Sequence, residues 1–478
     1  DHEELEILLD EFRPDIPLRQ GLVWDDQGPI ERLPDFLNSF VYRNRRNLYS
    51  AYGDNYSLYF DPVIVRQATL STLKTSSKDE RIYISVNGFT TRGTVGDHLG
   101  FYMDVRDSKE WGSRSYAWEK ITTMPGRGYV TFKDDHAEFD ETIAYLTWSD
   151  GPFRFEFGRD KSRWGRGKES TLGLSDYASP YNLFRFETEF WRLKYSFIAA
   201  QLIQYPSMAE FYYQNPPKAG ADSVAIKKYF SAHRIDIEFT GRLNMGFYET
   251  VIYGGRLEPS YLNPVMFLRG AEHTNGDHDN AGMGADFRFF PHRSHSIYGE
   301  LFIDDITTTK LGTGWFGNKL AGQIGTFLVE PFNIPDIDAR FEYTRIEPWV
   351  YTHSYPINVY DHYGSCLGSS MGPNSDMISM EIRKRFSHRF STELSFHRYR
   401  HGVNPPGQNI GGDIHQGFQK GDSKTAHFLD GIVETRNASG LDISYELLRQ
   451  LYLKAGYTYE DRGETGNNIF RFSMGLNE

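Results

Sequence analysis

The chain's 478 residues carry 64 acidic and 52 basic side chains, and the resulting net charge of −12 argues against a nucleic-acid surface. Only 39% of residues are hydrophobic and no run of about 18 apolar residues occurs, so no segment reads as a transmembrane helix. A membrane-spanning barrel stays open as a fold, because its strands alternate apolar and polar positions and keep average hydropathy low; 31 Tyr and 35 Phe suit its aromatic girdles.

The chain opens on Asp1, which removal of a signal peptide would explain and another choice of starting point would explain equally. Leu5, Leu8, Leu9 and Phe12 then share one helical face, and Pro14 and Pro17 end it. Leu33, Phe36, Leu37, Phe40 and Val41 repeat the spacing, with Arg43, Arg45 and Arg46 suiting a helix C-terminus. Residues 1–55 are therefore expected to form a small helical plug, and residues 56–478 a barrel.

From Tyr56 the period changes from 3.6 to two. Ile82, Ile84 and Val86 share a face. Phe153, Phe155 and Phe157 alternate with Arg154, Glu156 and Gly158, and Ile297 and Leu301 with Tyr298, Glu300 and Phe302. A soluble sandwich also alternates, but soluble all-β domains usually split before about 400 residues of unbroken alternation. Turn signals fall at Asn87-Gly88, Asp150-Gly151, Gly254-Gly255 and Asn275-Gly276-Asp277. Three long polar connections, residues 74–80, 205–228 and 401–424, are assigned to the outer end, because barrels of this class put short turns at the periplasmic end. The last strand sets Phe470, Phe472, Met474 and Leu476 on one face and must pair antiparallel with residues 56–70 to remove both edges.

Three clusters could carry chemistry. Arg159, Lys161, Arg163, Arg166 and Lys168 surround Trp164 within ten residues, between Gly165 and Gly167 and with no phosphate-loop ending. Arg grips carboxylates and Trp stacks on sugar faces, so these six are candidate contacts for an acidic polysaccharide; the alternative is a basic turn pairing with lumen carboxylates. Asp277-His-Asp-Asn280 offers oxygen ligands without calcium-loop spacing and reads as a polar loop. The Gly- and Ser-rich run from Tyr363 to Asp376 implies backbone packed closely against something. Nothing places Cys366 beside His353 or His362 as nucleophile and base. The 15 His lack metal-ligand spacing, so no metal or cofactor is expected.

Three stretches resemble the Wzi family of outer-membrane capsule assembly proteins: Gly158-Arg159 with Trp164-Gly165-Arg166-Gly167, Ser175 and Pro180; Leu262-Asn263-Pro264-Val265 with Asp279-Asn280 and Asp286; and Tyr363 to Asp376. The resemblance spans essentially the whole chain. It implies an all-β, antiparallel transmembrane barrel of about eighteen strands in the bacterial outer membrane, an N-terminal helical plug, and a non-enzymatic lectin that attaches capsular polysaccharide to the cell surface. Expected partners are an acidic polysaccharide, outer-membrane lipid and other envelope proteins. The rival readings are a channel for small solutes and a barrel anchor for a larger envelope complex.

Overall fold

The computed structural model describes residues 47–72, 80–113, 126–133, 135–204, 227–448, 450–463 and 466–477. Among the described residues twenty strands form one sheet, and every neighbouring pair is antiparallel. Tyr49–Gly53 and Val130–Phe132 are short flanking strands; the other eighteen close the barrel.

Closure follows the sequence expectation. The strand Gly466–Leu476 pairs antiparallel with Tyr56–Ser71, from Ile64 opposite Leu476 to Ser71 opposite Ile469. That pairing removes the last edge, which a membrane demands because lipid cannot satisfy free backbone groups. Below it, Tyr49–Gly53 adds to the start of the same strand, Tyr49 opposite Phe60 and Gly53 opposite Tyr56. Asp61 anchors this entry, accepting from Asn47 Nδ2 at 2.5 Å and the Leu48 amide at 2.7 Å. Of the helical plug expected over residues 1–55, residues 1–46 lie outside the described residues, and Tyr49–Gly53 is a strand rather than helix because it pairs with the first barrel strand.

The connections alternate in kind. Short turns join residues 95 to 99, 150 to 153, 190 to 193, 240 to 243, 292 to 295, 387 to 390 and 448 to 451. Long segments join residues 160 to 181, 255 to 280, 305 to 319, 346 to 375 and 403 to 432 at the opposite end. By the rule of this class the short-turn end is periplasmic and the long-loop end outer. The connection over residues 401–424 lies at the outer end as expected; residues 74–79 and 205–226 lie outside the described residues.

The outward face is apolar. Leu146, Phe157, Ile324, Ile382, Leu394 and Phe472 are all exposed on it. Phe153, Phe190, Trp191, Phe239 and Phe386 are exposed beside the short turns, where a girdle of rings meets the membrane interface. The inward face is charged, and Glu156, Arg234, Asp286, Glu300 and Glu342 are all buried on it. Two local expectations change. Asn87-Gly88 is not a turn but mid-strand in Glu80–Val95. A Cβ on Gly88 would lie 2.0 Å from the Val105 carbonyl oxygen, so this glycine serves close backbone approach. Ile82, Ile84 and Val86 do share a face, but it points inward: they pair with Thr69, Gln67 and buried Val65, while exposed Ile64 and Leu70 point out.

A packed core fills the outer half of the lumen. Wall residues Phe230, Tyr248, Phe302 and Ala321 meet Leu172 and Leu174 of one inward-folded segment and Val350, Tyr351, Tyr360 and Leu367 of another. The Gly- and Ser-rich run is packed as its composition implied. A Cβ on Gly368 would lie 2.3 Å from the Leu172 carbonyl oxygen, and Ser175 Oγ donates to the Gly368 carbonyl at 2.5 Å.

Candidate binding site at the outer mouth

The inward-folded segment 161–180 is held by carboxylates of the barrel wall. Glu300 accepts the Leu172 amide at 3.0 Å, the Gly173 amide at 2.9 Å and the Tyr248 hydroxyl at 2.6 Å. Glu342 accepts the Lys168 amide at 2.7 Å and the Tyr298 hydroxyl at 2.6 Å. Gln323 donates to the Ser170 carbonyl at 2.9 Å. Buried carboxylates need such donors, and backbone amides of an irregular segment need such acceptors, so each satisfies the other.

This placement decides what the basic cluster touches. Lys161 pairs with Glu141 at 3.0 Å and Arg163 with Asp176 at 2.7 Å. Lys168 bridges Glu381 at 2.6 Å and Glu393 at 3.3 Å. Trp164 is buried, its ring 5.6 Å from that of Tyr248. Arg166 is half-buried and also interacts within the protein. Arg159 is half-buried at the end of the strand Phe153–Asp160, and its side chain makes no hydrogen bond or ion pair among the described residues; Tyr363 and Glu141 lie within electrostatic reach. The six side chains therefore do not converge on one open patch.

The concave polar surface is instead at the outer mouth, and sequence reading missed it. A cavity of about 300 Å³ opens between two long loops. His353, Ser354 and Pro356 line it from one side, and Asn409, His415, Gln416, Gln419 and Asp422 from the other. Asn409 organises the second loop, donating to the Gln416 carbonyl at 3.1 Å, the Gly417 carbonyl at 3.2 Å and Asp422 Oδ2 at 3.3 Å. The side chains of Gln416 and Gln419 stay exposed. Burial pushes His353 down to about 4, so its ring is neutral; Nδ1 accepts the Tyr355 amide at 3.1 Å, which puts the proton on Nε2. Aromatic rings stiffen the loops: Phe316 stacks on Phe418 with centroids 3.9 Å apart, and Trp349 lies 5.5 Å from Phe418.

A buried lock ties this mouth to the wall. Lys228 is fully buried; its amine contacts Asp361 and donates to the Val359 carbonyl at 2.7 Å. His415, a pocket residue, reaches the other oxygen of Asp361 at 3.2 Å. Burial alone would raise the Asp361 carboxyl, but Lys228 and His415 outweigh it and hold it below its ordinary value. A depressed folded pKa gives stability that is full above roughly pH 5 and lost as pH falls through the folded value. Lys228→Met strands that carboxylate and is expected to cost about 3–5 kcal/mol at pH 7. Urea midpoints of the barrel measured from pH 7 to pH 3 check this; a wild-type advantage that persists unchanged at pH 3 contradicts the ion-pair account.

Cys366 is buried, and burial pushes its thiol far up, so it is no nucleophile at neutral pH. The stretch over residues 277–280 follows a short helix, Leu268–Thr274, and Asp279 accepts the Tyr261 hydroxyl at 2.7 Å, an internal structural use.

The profile of the capsule assembly protein Wzi family matches residues 43–465. Among solved structures, Escherichia coli Wzi, described as an outer-membrane, carbohydrate-binding β-barrel involved in group 1 capsule assembly, is 15% identical, with a TM-score of 0.52 over 86% of this chain and 84% of that one. Pseudomonas aeruginosa OprD is 9% identical, with a TM-score of 0.45 over 88% and 92%. Acinetobacter baumannii OccAB1 is 9% identical, with a TM-score of 0.49 over 88% and 96%. No curated protein sequence matches. With eighteen closed strands, an apolar outer belt and a family match over most of its length, the chain belongs to the Wzi family of capsule assembly proteins and is an outer-membrane β-barrel.

Proposed function

We propose that this barrel is a non-enzymatic lectin that holds capsular or extracellular polysaccharide at the cell surface. The mouth cavity carries the reading. Its Asn, Gln, Ser, Asp and neutral His groups are the planar or small hydrogen-bonding groups that match sugar hydroxyls, and stacked rings hold the loops that carry them. Family membership and the carbohydrate-binding description of Escherichia coli Wzi support it. Equilibrium binding is sufficient chemistry, because a repeating polymer meets many barrels and weak single contacts add through avidity.

An acidic polymer needs a cation as well. Within the basic segment Arg159 is the member we assign to it, since Lys161, Arg163 and Lys168 are matched by protein carboxylates. Arg159→Ala is expected to weaken binding of an acidic polysaccharide about tenfold and to flatten its salt dependence, leaving a neutral polysaccharide unaffected. Co-sedimentation of purified barrel with each polymer, across a salt series, measures this. The channel reading predicts the reverse pattern: ion conductance in a planar bilayer and no retention of either polymer.

A further inference from the structure

We propose that Glu169, Glu381 and His397 form a binding site for a divalent cation of the Zn²⁺ type, which fastens the inward-folded segment to the barrel wall. One ligand atom from each lies within 4.8 Å of the other two. The three come from separate elements: the inward segment, the strand Ser375–Ser387 and the strand Phe390–Val403.

Two further observations point to a ligand. His397 Nδ1 is occluded from solvent and has no hydrogen-bond partner among the described residues, an arrangement that wastes a strong polar group unless something occupies the space beside it. A carboxylate oxygen of Glu169 and one of Glu381 lie within 4.8 Å of each other, and two carboxylates that close favour a cation between them. The four local carboxylates, Glu169, Glu381, Glu342 and Glu393, face Lys168, Arg383, Arg340 and Arg436, and among the described residues only Lys168 forms an ion pair with Glu381. Lys168 engages Glu381 through Oε2 at 2.6 Å and leaves its second oxygen to the cluster. One imidazole and two carboxylates match zinc preferences better than those of calcium or magnesium, which take all-oxygen shells. Glu169 faces lumen water, so the ion has an entry path and the fourth position can hold a water.

The test uses the full-length barrel, purified in detergent, stripped with chelator and dialysed against ZnCl₂. Bound metal is counted, and the unfolding midpoint is followed with Zn²⁺ and with Mg²⁺. Wild type is expected to hold about one Zn²⁺ per chain and to gain stability with Zn²⁺ but not with Mg²⁺. His397→Ala and Glu169→Gln are each expected to weaken Zn²⁺ binding at least about tenfold and to abolish the shift. Heat-modifiable migration on gels reports that each variant is folded, and Glu169→Gln at an exposed position guards against a misfolded His397→Ala. Wild type without stoichiometric Zn²⁺, or undiminished binding in either variant, overturns the site. Retained binding that falls only in Glu272→Gln would relocate the metal to the Glu272, His273 and Asp277 group and likewise overturn it.

Discussion

Glu300→Ala is expected to loosen the inward segment 161–180 and to produce the largest stability loss of any single change in the lumen. Its carboxylate accepts three buried donors: two backbone amides of the segment and the Tyr248 hydroxyl. Truncation leaves all three without a partner, at about 1–3 kcal/mol each, a large share of an ordinary folding free energy of about 5–15 kcal/mol. The packing above it depends on the same anchor, because Leu172 and Leu174 are fully buried and Tyr351 and Tyr360 both donate to carbonyls of the segment, at 2.7 Å each. The expected readouts are a lower urea midpoint, new protease cuts between residues 161 and 180, and a rise in bilayer conductance over wild type. Glu300→Gln keeps the shape and one of the two acceptor oxygens, so it can still serve Gly173 and Tyr248 while losing the Leu172 amide, and should lose less than Ala. A midpoint and proteolysis pattern equal to wild type would contradict the anchoring role.

The double substitution Gln416→Ala and Gln419→Ala is expected to reduce polysaccharide affinity without unfolding the barrel. Both side chains are exposed at the mouth cavity and Asn409 is untouched; Gln416 also accepts from Asn404 at 3.0 Å and donates to Asp413 at 2.9 Å, so Gln419→Ala alone serves as the control for a change in the loop itself. Each amide that hydrogen-bonds a sugar contributes about 0.5–1.5 kcal/mol, so losing two costs about 2 kcal/mol, roughly a 30-fold change in Kd for one contact. On a repeating polymer the loss compounds, because avidity multiplies single-site affinities. Binding of polymer and of short oligosaccharides to purified protein measures both levels. Equal binding by the double variant and wild type would place sugar recognition elsewhere on the barrel.

The barrel was legible because its signal is local. A period of two needs only neighbours, and pairing of residues 470–476 with the first strand follows from the need to remove edges in lipid. The interior was legible only as charge. Glu300 meets Leu172 across 128 positions and Lys168 meets Glu381 across 213, and no spacing rule encodes such contacts. That is why the basic segment stayed open between an acidic-sugar site and a turn paired with lumen carboxylates: its cations stand together in sequence, while the carboxylates that match them come from the distant wall. The mouth cavity was missed for a related reason. His353 and Asn409 belong to different loops that meet only after the sheet closes, and neutral amides leave no motif. Asn87-Gly88 misled because the dipeptide has two uses, a tight turn and close backbone approach, and only the Val105 contact distinguishes them.

The central claim is retention of polysaccharide at the surface, and the most direct measurement deletes the gene and quantifies capsular polymer on washed cells and in the medium. Polymer is expected to move from cells to medium with total synthesis unchanged, and wild-type protein to restore retention while the Gln416→Ala, Gln419→Ala variant does not. Full retention of polymer on cells lacking the protein would contradict it.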